Sequence, residues 1–148
     1  MSSYHQINET RTLAETIGLA TIDIMKLHDE MSDLCATIAA KFPGTYEDIP
    51  KYQQAYYARE ALHDTRRTLD APLDRLNPIL RTMTVPVTIG KQTRSNRSSS
   101  KRVRLGNAAV RLKGIVVALT NAKEHELRDD LADNITALES VEFPQTYG

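Results

Sequence analysis

Tryptophan is absent, aromatic residues make up 5 % of the 148, and Cys35 is the only cysteine. With so few rings, any interior must be aliphatic. A lone thiol cannot close an intramolecular disulfide, which fits a reducing cytoplasm or a viral particle assembled there. No window approaches the roughly 20 apolar residues of a membrane span, and no basic start followed by an apolar run marks a leader. The chain is therefore expected to be soluble, unprocessed and without a membrane partner. It also lacks a phosphate-cradling glycine loop, a paired-cysteine motif, a nucleophile elbow and His-Glu-x-x-His. The expectation is a protein that is not an enzyme and takes no cofactor and no metal.

What is present is ordinary globular usage, with 41 % hydrophobic and 26 % charged residues. This length suits a single domain, 1–148, with a modest core. The apolar residues fall at helical spacing over long windows, so the expected class is mainly all-α. The architecture would be a helical bundle of long amphipathic, coiled-coil-like helices, interrupted at about 84–105 by a basic arm or short β-hairpin. The subdivision is a helical hairpin with a proline-kinked end over 1–83, a basic arm over 84–106, and a C-terminal helix or helix pair over 107–148.

Leu13, Ile17, Ala20, Ile24, Leu27, Met31, Leu34 and Ile38 follow one another in alternating steps of four and three, the seam of a heptad repeat. They predict a helix over about 4–41. Ser3 and Gln6 have capping-box spacing at its start, and Phe42-Pro43-Gly44 forms the stop. As an oligomer seam, the heptad positions Leu13, Ile17, Ile24, Leu27, Met31, Leu34 and Ile38 suit a second helix, although Leu19, Ile22 and Met25 widen the apolar face. Cys35 beside the seam reads as a buried structural thiol.

Asp48 and Pro50 open a second helix with Ala55, Ala58, Leu62, Thr65 and Leu69 on its core side. Asp70-Ala71-Pro72 and Asn77-Pro78 suggest restarts before Met83. Val85, Val87 and Ile89 alternate with polar or proline positions, as Val103 and Leu105 do with arginines, and a hairpin between them would carry residues 91–100 at its tip. Asn107 is placed as the cap of the last helix. A break is expected near Asn121, between the stripes Leu112, Val116, Leu119 and Leu127, Leu131, Leu138, Val141. Phe42-Pro43-Gly44-Thr45-Tyr46 recurs as Phe143-Pro144-Gln145-Thr146-Tyr147, best read as one device for stopping a helix, with the Phe packing back on the last turn, rather than an internal duplication.

Charge distribution is the strongest feature. The formal net charge is zero, yet residues 81–113 contain nine Lys or Arg and no acid, between two segments with an acidic balance. Charge of one sign gathered locally creates a field that net charge conceals. Lys91, Arg94, Arg97, Lys101, Arg102, Arg104, Arg111 and Lys113 are the candidate nucleic-acid-binding residues, since guanidinium forks match phosphate oxygens and serines of the same segment add neutral contacts. No aromatic residue interrupts the block, so backbone recognition of DNA or RNA with low sequence specificity is expected. Arg66, Arg67, Tyr52 and Tyr56 form a secondary candidate surface. Glu60 and His63, and His125 among its acidic neighbours, read as solvated helix surface rather than metal ligands.

Two functional readings follow. One is a non-catalytic, self-associating helical subunit of a nucleoprotein. The other is a viral or phage structural or assembly protein whose basic arm docks on acidic faces of neighbouring subunits, without nucleic acid.

Overall fold

The computed structural model describes residues 4–75, 78–92 and 97–144, with side chains at 6–70, 78–90 and 103–144. It is mostly helical, with one two-stranded antiparallel sheet. The chain runs β1 (Tyr4–Thr12), α1 (Leu13–Lys41), a 3-10 turn (Tyr46–Asp48), α2 (Pro50–Arg75), the single turn α3 (Pro78–Arg81), β2 (Thr84–Gln92), α4 (Arg97–Asn121) and α5 (His125–Ser140).

The first helix starts later than its heptads suggest. Residues 4–12 form a strand, and the capping box is Thr12 with Glu15, not Ser3 with Gln6. The Glu15 N–H donates to Thr12 Oγ1 at 3.1 Å, while the Thr12 N–H donates back to Glu15 Oε1 at 3.3 Å. Such reciprocal bonds satisfy donors that a helix start leaves orphaned. Before Thr12, the strand puts Ile7, Glu9 and Arg11 on one face and Gln6, Asn8 and Thr10 on the other.

The expected hairpin at 84–105 is also replaced. β2 pairs not with Val103 and Leu105 but with β1, about eighty residues earlier, in a register that sets Ile7 opposite Ile89 and Glu9 opposite Val87. Leu105 instead begins a helical series with Ala108, Leu112, Ile115 and Leu119, the last four of them buried. Steps of three and four give one helical face, and that pattern outweighs the two-residue alternation around Val103. Asn107 consequently lies inside α4 and caps nothing.

Helices α1, α2, α5 and α4 form a four-sided bundle in which α1 touches α2 and α4, α5 touches the same two, and the ribbon rests through β2 on α4. Val85 and Val87 close onto α4 at Gly114, where an added Cβ would lie 2.8 Å from Val87 Cγ1. One continuous aliphatic core results, including Leu13, Ile17, Ile24, Leu62, Leu69, Leu112 and Leu131. The predicted core side of α2 is buried throughout. Proline 72 does not restart that helix, which continues to Arg75; the later restart at Asn77-Pro78 falls partly outside the described residues, and α3 begins at Pro78.

The seam of α1 faces this core. Leu13, Ile17, Ile24, Leu27, Met31 and Ile38 are buried within the chain, with Leu34 partly so. A stripe already covered by α2 and α4 is not available as an oligomer seam, which corrects that expectation. The break near Asn121 is present. Lys123 adopts a left-handed φ of 62°, and the Glu124 N–H returns to the Leu119 carbonyl at 2.9 Å, closing the helix end in the manner of a Schellman turn. The two Phe-Pro segments differ: Phe42 is half exposed after α1, whereas Phe143 packs on the core. Residues 145–148 lie outside the described residues.

Candidate polyanion-binding site

The eight candidate cations of the basic block do not share one arm. Lys91 lies near the end of β2, while Arg97, Lys101 and Arg102 stand in the first turns of α4; Arg94 lies outside the described residues. The other three are ion-paired within the chain, Lys113 at the exposed surface. Arg104 is ion-paired with Glu30 of α1, and Lys113 Nζ lies 3.0 Å from Glu139 Oε1 of α5. Arg111 is 7 % exposed, and its guanidinium donates to both oxygens of Glu9 on β1 at 3.3 Å and to Asp23 Oδ2 on α1 at 3.1 Å. Arg111 is thus removed from any phosphate contact that would leave the fold intact, and Arg104 is engaged with Glu30. A buried arginine flanked by two carboxylates is a structural pair, because desolvating three charges is tolerable only while they stay together.

The two carboxylates respond differently. Burial alone would raise the Glu9 carboxyl, but hydrogen bonds from Arg111 and Arg11 outweigh it and hold Glu9 below the ordinary range. At Asp23 burial dominates over Arg111, Lys26 and Arg104, and its carboxyl is pushed up. Two cations attend Glu9 closely, whereas Asp23 takes its hydrogen bond from Arg111 alone.

These ion pairs also orient the bundle. Asp23 meets Arg111 and Glu30 meets Arg104, so α1 and α4 run antiparallel. Gln54 of α2 donates to Glu142 Oε2, just beyond α5, at 2.7 Å. The start of α4 therefore shares one bundle end with the end of α1, the start of α2 and the end of α5. Tyr46, Tyr52, Tyr56 and Tyr57 gather at that end, with successive ring centroids 5.0, 6.3 and 5.6 Å apart. Arg59 lies over the Tyr56 ring at 5.0 Å. Tyr52 is half-buried, and burial raises its phenol, whereas Tyr57 is the most exposed of the four. Because α2 stands across the bundle diagonal from α4, the rings and the basic turns share an end but not a face. Arg66 and Arg67 are exposed further along α2, with Arg66 4.0 Å from Asp70.

Comparison with protein-family models, curated proteins and solved structures gives no match to this chain. Function must be argued from the residues themselves. Among the described residues no group of three or more His, Cys, Asp or Glu is placed to hold a metal ion, and no helix is long and apolar enough to cross a membrane. Cys35 is buried, and burial raises its thiol above the usual value, disfavouring the reactive thiolate.

Sequence reasoning missed Asn107 and β1. Asn107 Nδ2 donates to the Gly90 carbonyl at 2.8 Å, and the Gly90 N–H donates to Asn107 Oδ1 at 2.9 Å. One side chain thus satisfies both outward backbone groups of a strand residue. Residues 6–11 contain one apolar residue, Ile7, so no hydrophobic alternation marked β1, and the heptads that follow read as more helix.

Proposed function

We propose that this protein is a non-catalytic, self-associating helical subunit that binds the backbone of nucleic acid through one end of its bundle. The observation carrying this reading is that α4 opens with Arg97, Lys101 and Arg102 shortly after Lys91 and Arg94, in a stretch without any acidic residue. A helix start adds its own partial positive charge and free N–H groups to such a cluster. Setting aside Arg104, Arg111 and Lys113, which pair internally, five cations remain as the contact set. The tyrosines at the same end offer a secondary surface on which unpaired bases could stack. The long helices give rigidity; their apolar seam serves the core, and self-association uses another surface.

Fluorescence anisotropy with labelled oligonucleotides tests this reading. About five phosphate contacts predict a roughly 10²- to 10³-fold loss of affinity between about 50 and 200 mM salt. Replacing Arg94, Arg97, Lys101 and Arg102 together with Glu should abolish binding and leave helicity unchanged. Retained binding would remove this end from the mechanism.

A second reading is favoured by the exposed Glu126, Asp129, Asp130 and Asp133 on α5. There the basic end docks on the acidic face of a neighbouring subunit, as in a viral or phage assembly, and no nucleic acid takes part. Absence of oligonucleotide binding at low salt, with salt-sensitive assembly, would select it.

A further inference from the structure

We propose that β1 is the edge at which two copies of this chain join, antiparallel and centred on Ile7, so that two ribbons merge into one sheet of order β2-β1-β1-β2. The inference deepens the self-association half of the proposed function and is independent of the polyanion half.

The ladder shows which backbone groups are spare. The Leu13 N–H donates to the Met83 carbonyl at 2.7 Å, continuing the register that sets Thr12 opposite Thr84. Hydrogen-bonded pairs alternate with non-bonded ones in an antiparallel ribbon. Arg11/Val85, Glu9/Val87 and Ile7/Ile89 therefore bond each other, while Thr10/Pro86, Asn8/Thr88 and Gln6/Gly90 direct their backbone groups outward. Pro86 fits this phase, since its missing N–H costs no ladder bond.

The two outer edges are treated unequally. On β2, Pro86 removes one outward donor, and Asn107 occupies both outward groups of Gly90. This leaves Thr84, Thr88, Gln92 and the Pro86 carbonyl, so no two successive outward residues of β2 keep both donor and acceptor free. On β1, the outward N–H and C=O groups of Gln6, Asn8 and Thr10 bond nothing among the described residues, and all three residues are exposed. Proteins usually guard such an edge with proline, a projecting charge or a covering element. Here the charges nearest the edge are already engaged, Glu9 with Arg111 and Arg11 with Glu9. Helix α1 leaves the strand at Thr12 rather than running along it.

The sequence of β1 matches its own antiparallel copy. With a twofold axis through Ile7, Gln6 falls opposite the second copy's Asn8, and both exchange backbone bonds using their outward groups. Amide side chains then face each other on the outer surface. On the inner face Ile7, 37 % exposed in one chain, meets its counterpart at the non-bonded position where side chains approach most closely. The occupant is thus a second copy, and zero formal charge leaves little net repulsion against it.

Two measurements on the full chain, made without nucleic acid, test the pairing. In size-exclusion chromatography with light scattering, wild type is expected as a dimer. Ile7→Lys, which puts two ammonium groups on the axis, and Thr10→Pro, which removes an outward donor, should each give a monomer with unchanged helicity. Ile7→Cys under mild oxidant should give a disulfide-linked dimer, because non-bonded cross-strand Cα atoms lie ~4.5 Å apart, within disulfide reach. Ile22→Cys, at an exposed site on α1, should not. A monomeric wild type overturns the proposal, as does a dimer that survives both substitutions without the Ile7→Cys crosslink. Loss of oligonucleotide binding in the charge-reversed variant leaves it untouched, whereas a monomer that still binds oligonucleotides removes this interface alone.

Discussion

Arg111 of α4 and Glu9 of β1 join elements that lie 102 residues apart in sequence, and the same guanidinium reaches Asp23 of α1. A residue in the middle of the basic block thereby fastens the ribbon and the first helix to the fourth. Truncating it strands two carboxylates in a mostly buried site. Arg111→Ala is expected to cost ~3–5 kcal/mol in urea unfolding, and Arg111→Met less, because the stem's packing is kept. A loss under ~1 kcal/mol for Arg111→Ala would show that water reaches the site freely.

The opposite displacements of Glu9 and Asp23 give opposite pH slopes. Glu9, lowered in the fold, contributes stability that is present above the ordinary carboxylate range and lost as pH falls through its folded value. Asp23, raised in the fold, contributes stability that is present at low pH and lost as pH rises through its folded value. Asp23→Asn removes the second contribution. Its stability should climb more steeply than that of wild type from about pH 4 upward, in denaturation series at stepped pH. An unchanged slope would contradict the burial assigned to Asp23.

Gly114 predicts a substitution that fails for steric reasons. Alanine is the better helix former by ~1 kcal/mol. Its Cβ, however, would meet Val87 Cγ1 at 2.8 Å and Val85 Cγ1 at 3.0 Å. Gly114→Ala should therefore destabilise by ~1–3 kcal/mol through overpacking, and Gly114→Ala with Val87→Ala should recover part of that loss. A stabilised single variant would mean that the ribbon rests less closely on α4.

Asn107→Leu should cost ~1–2 kcal/mol by leaving the N–H and C=O of Gly90 without their amide partner. Hydrogen exchange should quicken at Gly90 while the interior of α4 stays protected. Asn107→Asp, which keeps an acceptor and loses the donor, should retain protection at the Gly90 N–H.

Much of the fold was legible in the sequence because long helices write their faces into a local period. The α1 seam, the core side of α2 and the turn after Asn121 each depend on residues within a few positions of one another. Strand β1 was hidden because its partner is β2, and a nine-residue segment followed by strong heptads reads as more helix. The site was less legible still. A count of cations does not distinguish Arg111, enclosed by two carboxylates, from Lys101, near the start of α4 in a stretch without acids.

What the sequence determined by itself is the aliphatic helical core and the concentration of positive charge in residues 81–113. Tertiary structure decided that the α1 seam is spent inside the chain, that Arg104, Arg111 and Lys113 serve ion pairs, and that the outward row of β2 is interrupted at Pro86 and Gly90 while that of β1 is not. The physical reason is range. Helical periodicity and capping are set by neighbours three or four residues apart, whereas charge pairing and strand pairing depend on groups that only the folded chain brings within a few ångströms.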